Sequence, residues 1–290
     1  MLQMVKWNFF VVVSIVMCSC NKFELKGLVM PTGDGVNERF EQSMQMSEGL
    51  HAGTIDAQED YTFYVATDPH INDTHHNLSI FNDALKNDCE ALFGVILGDC
   101  IDIKDNLLSY LDALAYDASK HSYDQRLFHV LGNHDVYFNG WEDFKKWIGS
   151  SVYWFETLFA EGKDLFITLD TATGTLGRMQ TEWLRAFLAQ KREEYRHCVL
   201  FTHTNIFYTD NSQTGTGNMP MEESLALIDF LGQQKVSLVL QGHDHYREDL
   251  TYDNVRYIVL GTIRDEAKAP EYLKVKVNEE GLSLDWQLIV

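Results

Sequence analysis

The stretch YTFYVATDPHINDTHHNLSIFNDALKNDCEALFGVILGDCID, residues 61–102, decides the fold class. It opens on a β-branched and aromatic run, 61–67, of the kind that suits a strand covered on both faces. Residues 78–88 carry apolar side chains at helical spacing, and 91–98, ALFGVILG, is a second apolar strand. Working outward, the same alternation repeats. Residues 103–119 read as a helix, 126–132 and 164–172 as strands, 181–195 as an amphipathic helix, and 197–203 as a strand. A helix over 221–234 precedes a strand over 236–242. Strands alternating with helices define a layered α/β domain. The tail segments YIVLGT, YLKVKV and LSLDWQLIV alternate with period 2 and predict antiparallel strands in a second sheet with one wetter face. The expected architecture is a two-sheet α/β sandwich with outer helices.

Composition supports one sizeable domain. The chain has 290 residues, 45% hydrophobic and 12% aromatic, with only 4 prolines, which is globular rather than disordered. No internal repeat stands out. The formal charge of −20 repels polyanions at long range, so a nucleic acid polymer is not the expected partner. Of 5 cysteines, Cys18 and Cys20 lie near the N-terminus, and Cys89, Cys100 and Cys198 are widely spaced. That pattern predicts neither a disulfide framework nor a zinc ribbon, and the last three are expected as small buried residues.

The N-terminus reads MLQMVKWNFFVVVSIVMCSC, residues 1–20. Lys6 supplies a positive start, and Phe9 to Met17 form an apolar run of signal-peptide length, short of the roughly 20 residues that span a bilayer. Ser19 and Cys20 then resemble the site of a bacterial lipoprotein signal, which implies lipidation at Cys20. An uncleaved anchor or an ordinary secretory signal are the alternatives. The expectation is an exported protein, membrane-anchored by lipid, periplasmic or at the cell surface. The chain divides into a signal segment, 1–20, a tether and edge segment, 21–60, and the layered α/β domain, 61–290.

The chemistry lies where the strands end. They run into Asp68-Pro69-His70, Gly98-Asp99, Gly132-Asn133-His134-Asp135, His203, and Gly242-His243-Asp244-His245. Ligands of open α/β sheets bind beyond the carboxyl ends of strands. Singly, such an Asp is more often a helix cap and such a His a surface polar group. Five strand ends carrying Asp, His and Asn form a set that suits divalent or trivalent first-row metals such as Mn, Fe or Zn.

The ordered blocks DPH, GDCID, GNHD, FTH and GHDH resemble the calcineurin-like metallophosphoesterase superfamily. The resemblance implies an αββα sandwich with a dinuclear metal site at the strand carboxyl ends. It implies that Asp68, His70, Asp99 and His245 hold one metal. Asp99, Asn133, His203 and His243 would hold the second, with Asp99 bridging. His134 would face the phosphate and assist the leaving group. Asp102 stands where some members orient that histidine, although an N-cap of the following helix is the equal alternative. Ile103 stands where serine/threonine phosphatases carry Arg, and Asp102 where purple acid phosphatases carry a metal-binding Tyr, so neither subgroup is supported.

The implied reaction is hydrolysis of a small phosphate ester, mono- or diester, by metal-activated hydroxide. Two metal ions also answer the sign problem, because their charge dominates their own surroundings whatever the global −20. The rival expectation is a non-catalytic cell-surface binding protein that keeps the fold. Phe207, Tyr208, His75 and His76 are further loop candidates for substrate contact. Neither the substrate nor the oligomeric state is encoded legibly.

Overall fold

The computed structural model describes residues 34–72, 74–117, 126–207 and 219–290. The signal segment with Cys20, and Tyr208, therefore lie outside the described residues. No described helix is long and apolar enough to cross a membrane.

Two mixed sheets face each other. The smaller contains β2 (Tyr61–Ala66), β3 (Ala91–Ile96), β4 (Leu127–His129), β11 (Glu271–Asn278) and β12 (Gly281–Leu288) in the order β12-β11-β2-β3-β4. The larger contains β1 (His51–Asp56), β5 (Tyr153–Phe159), β6 (Gly162–Thr168), β7 (Cys198–Phe201), β8 (Leu238–Gln241), β9 (Glu248–Tyr252) and β10 (Val255–Val259) in the order β1-β5-β6-β7-β8-β10-β9. β2, β3 and β4 run parallel, as do β6, β7, β8 and β10. Their carboxyl ends can therefore face one edge.

The inner faces pack into one core. Phe63 and Phe93 stack at 4.9 Å, Phe93 meets Phe155 edge-on at 5.2 Å, and Phe155 stacks on Phe166 at 4.9 Å. These rings join Val65, Val95, Phe201 and Leu240, all fully buried, so the sheets are tied by one contiguous apolar layer. Outer faces are covered by helices. α2 (His76–Asn87) and α3 (Leu107–Ala113) bury Leu78, Phe81, Leu85, Leu107 and Leu111 against the smaller sheet. α6 (Gly177–Lys191) and α7 (Met221–Gln233) bury Leu184, Leu188, Leu227 and Leu231 against the larger. This is the αββα sandwich expected from the sequence. The remaining described α-helices are α1 (Val36–Met46), α4 (Asn133–Val136) and α5 (Trp141–Trp147).

Three details differ from the sequence reading. Of the three tail segments, YLKVKV and LSLDWQLIV pair antiparallel as β11 and β12 in the smaller sheet as expected, but YIV enters the larger sheet as β10, parallel to β8. Residues 36–56 fold as α1 and the edge strand β1, which pairs parallel with β5. Cys89 is exposed, whereas Cys100 and Cys198 are buried and none of the three is in a disulfide.

Candidate metal centre

Five strand ends meet, and they come from both sheets. β2, β3 and β4 lead to Asp68, His70, Asp99 and Asn133; β7 and β8 lead to His203, His243 and His245. The site is thus a seam between two sheets rather than the edge of one. The turns are tight. Asp68, His70, Asp99, His243 and His245 all adopt positive φ, between 45° and 71°. Non-glycine residues in that region are strained, and such strain concentrates at functional sites. Backbone bonds hold it: His70 N donates to Asp99 O at 3.0 Å, and Gly242 N to His203 O at 2.9 Å.

The side chains converge in two groups. His245 Nε2 is 3.3 Å from Asp68 Oδ1 and 3.1 Å from His70 Nε2. His203 Nε2 is 2.9 Å from Asn133 Oδ1 and 3.1 Å from His243 Nδ1. Asp99 joins them, with Oδ1 3.3 Å from His203 Nε2 and Oδ2 3.6 Å from His70 Nε2. In each of the sets Asp68–His70–His245 and Asp99–His203–His243, the donor atoms lie within 4.8 Å of one another.

The residues fit a dinuclear divalent-metal site on three counts. Asp68 Oδ1 is buried and accepts no hydrogen bond, an arrangement that is costly without a cation. His203 Nδ1 must donate to the Leu97 carbonyl, 2.8 Å away, so Nε2 is the nitrogen that faces the cluster and would serve as the ligand atom of the neutral ring. Ring nitrogens approach one another at 3.1 Å in both groups, a spacing that a shared cation relieves.

Electrostatics show how tightly these charges are coupled. Burial works to raise the Asp68 carboxyl, but the His245 imidazole 3.3 Å from it outweighs burial and holds it well below the usual range. Burial works to lower His203, yet Asp99 pushes it up to about 10. Burial, reinforced by His203, takes His243 down to about 4. Side chains with such opposed shifts packed in one buried cluster mark a functional site.

His134 lies alongside, its ring 4.5 Å from that of His70. Its Nδ1 donates to the Asp102 carbonyl at 3.0 Å, and the Asp102 carboxylate is 3.6 Å away. The same carboxylate is 3.5 Å from His70 Nδ1. Asp102 therefore sits between two site histidines, and the cap before Lys104–Asn106 is Ile103. Asp135 clamps two site loops together: Oδ1 accepts from Cys100 N at 3.0 Å and Oδ2 from Gly132 N at 2.8 Å.

The other loop candidates have structural partners. His75 Nδ1 meets Ser79 Oγ at 3.0 Å, and His76 N donates to Asp265. Phe207 packs edge-on against Tyr257. Two residues escaped the sequence reading. Tyr137 accepts from Asn133 Nδ2 at 3.0 Å, turning Asn133 Oδ1 toward His203; its i+4 spacing from Asn133 on one helical turn was the available signal. Thr171 Oγ1 accepts from His203 N at 3.1 Å, through backbone that no spacing rule exposes.

The calcineurin-like phosphoesterase family profile matches residues 62–247, and the chain belongs to that family. No curated protein matches by sequence. Among solved structures, a dimetal phosphatase from Danio rerio superposes with a TM-score of 0.60 at 15% identity, covering 79% of this chain and 96% of that one. GAP50, the anchor in the inner membrane complex of Plasmodium, gives 0.59 at 15%, covering 79% and 84%. Purple acid phosphatase PPD1 from yellow lupin seeds gives 0.57 at 12%, covering 80% and 52%. At these identities the likeness is one of fold.

Proposed function

We propose that this protein is a two-metal hydrolase of small phosphate esters, phosphomonoester or phosphodiester. The observation that carries the reading is Asp99, whose two oxygens face two separate donor clusters within one buried seam. Asp68, His70 and His245 would hold one ion, Asn133, His203 and His243 the other, and Asp99 both. Bound there, two divalent ions supply Lewis acidity and acidify a coordinated water.

The remaining tasks fall to side chains. Tyr137 fixes the Asn133 amide so that a neutral oxygen serves as donor, which keeps the centre more positive than a carboxylate would. His134, whose Nδ1 donates to the Asp102 carbonyl, would protonate the leaving oxygen. The Asp102 carboxylate stabilises the imidazolium form, weakly, because it is 41% exposed and screened by water. His134→Ala is expected to keep both metals and lose roughly 10²–10⁴-fold in kcat. Parallel metal analysis and kinetics check this; loss of metal instead would make His134 a ligand.

The discriminating assay is turnover of p-nitrophenyl phosphate and bis-p-nitrophenyl phosphate by Mn-loaded protein, lost in Asn133→Ala. The second reading, a non-catalytic binding protein, draws on the fold likeness to an anchor protein. It predicts metal bound with no ester turned over. The full donor set together with His134 favours the enzyme.

We also propose that the protein works outside the cytoplasm, anchored through a lipid on Cys20. The support is the Ser19-Cys20 sequence after a short apolar run. Mass spectrometry of the mature N-terminus is expected to give a diacyl or triacyl cysteine. An unmodified Met1 would overturn it.

A further inference from the structure

We propose that helix α1 is a brace for one half of the metal centre and that Arg39 is its positioning residue, acting on His203 through Asp170 and Thr171. The inference rests on the two-metal reading. It concerns a helix that lies before the family-matched region, which begins at residue 62.

Arg39 is fully buried, and so is its partner. Arg39 Nε donates to Asp170 Oδ2 at 2.8 Å and Nη2 to Asp170 Oδ1 at 2.9 Å, a two-pronged pair with both side chains at 0% exposure. Nη1 donates to the Asp34 carbonyl at 2.7 Å. Taking two charges out of water is costly, and apolar residues of similar size hold a fold at least as well. A buried ion pair is therefore better read as fixing a geometry than as adding stability.

The geometry it fixes leads to the metal centre. Asp170 follows β6, the neighbour of β7, which leads to His203. Its Oδ1 accepts from Ala172 N at 3.2 Å, and Gln180 grips its backbone from both sides, at 2.8 and 2.9 Å. The next residue, Thr171, receives the backbone N–H groups of His203 and Thr204 on one hydroxyl, at 3.1 and 3.0 Å. Its carbonyl accepts from Thr204 Oγ1 at 2.7 Å. An unbroken chain of one ion pair, one peptide step and one hydrogen bond thus links Arg39 to His203.

The same helix reaches the second partner of that half-site. Gln42 Oε1 accepts from Trp141 Nε1 at 2.8 Å and Lys145 Nζ at 2.7 Å. Trp141 packs in a separate small cluster with Leu131, Val136 and Ala172. Those residues flank Asn133 on one side and Thr171 on the other. α1 therefore supports both His203 and Asn133, whose atoms meet at 2.9 Å. In the Asp68–His70–His245 group, the Asp68 carbonyl accepts from Thr262 Oγ1 and Asp68 Oδ2 from His243 N at 2.9 Å, contacts that do not pass through α1.

The brace makes the two halves respond unequally. The test is titration of chelator-stripped protein with Co(II), followed by visible absorption, with a thermal melt on each variant. Arg39→Met combined with Asp170→Leu removes both charges without leaving one unpaired. Thr171→Val removes the hydroxyl alone. Both are expected to bind the first Co(II) as the parent does and the second about 10-fold more weakly. Thr171→Ser, which keeps the hydroxyl, is expected to restore the second. Two equivalents bound with parental affinity in both variants would overturn the proposal. So would a loss of both equivalents in step with the melting temperature, which marks a merely structural role. A parent protein that fails to take up two equivalents would instead overturn the two-metal reading, and this inference with it.

Discussion

Asp99→Asn is expected to lower kcat/KM for phosphate-ester hydrolysis by at least about 10⁴-fold, roughly 5.5 kcal/mol of transition-state stabilisation. Asp99 faces both donor clusters, with Oδ1 toward His203 and Oδ2 toward His70. Asparagine removes the charge and replaces one of the two oxygens by an amide nitrogen, which cannot serve as a ligand. One substitution therefore disables both halves. The fold is expected to survive, because the amide oxygen can still accept the His134 N–H that Asp99 Oδ1 now takes at 2.8 Å. Metal analysis, kinetics and a cooperative melt together check this. A variant that keeps two ions and more than a hundredth of the activity would contradict the bridging role.

The second large effect is structural in origin. Gly132→Ala is expected to cost about 3 kcal/mol or more of stability and to spread the metal centre. Backbone freedom is not the reason, since Gly132 has an ordinary extended conformation at φ −99° and ψ 173°. Space is the reason: a methyl group there would meet Asp99 N at 2.1 Å and Asp99 Oδ1 at 2.3 Å. Neither can yield without moving the loop after β3 away from the loop after β4. Gly261→Ala is the control. Its methyl would meet only Glu271 Oε1, at 3.9 Å, and a change within about 0.5 kcal/mol is expected. Urea midpoints on both variants, with metal content measured in parallel, decide the matter.

How far the sequence could be read depended on where the signal lay. β2, β3, β7 and β8 were legible because their residues are apolar runs buried almost throughout. β5 was missed, although Tyr153, Phe155, Thr157 and Phe159 alternate inward. Trp154 and Glu156 on its other face are only half-buried, and with Thr157 turned inward the run lost its apolar contrast. α1 was invisible for a clearer reason. Its buried face is Val36, Arg39, Phe40 and Ser43, so half of the inward stripe is polar. A helix that docks through an ion pair leaves no apolar period to find.

The site was legible as chemistry but not as architecture. Asp68, His70, Asp99, Asn133, His203, His243 and His245 stood out because each ends a strand. That two sheets share them depends on strand order, which is set by long-range pairing such as β2 with β11. The YIV segment of the tail was misplaced for the same cause. Supporting residues such as Thr171 and Gln180 act through backbone bonds, and a hydroxyl or amide used in that way looks like any other. Asp102 was recognised by position, but its carbonyl rather than its carboxylate makes the shorter contact to His134.

The most direct test of the whole account is a metal add-back titration of hydrolysis. Protein stripped with chelator is assayed on bis-p-nitrophenyl phosphate and p-nitrophenyl phosphate while Mn(II) is restored. The account predicts no turnover at zero metal and a rise that reaches its plateau at two equivalents per chain. Turnover that persists in chelator, or two equivalents bound with neither ester hydrolysed, would contradict it.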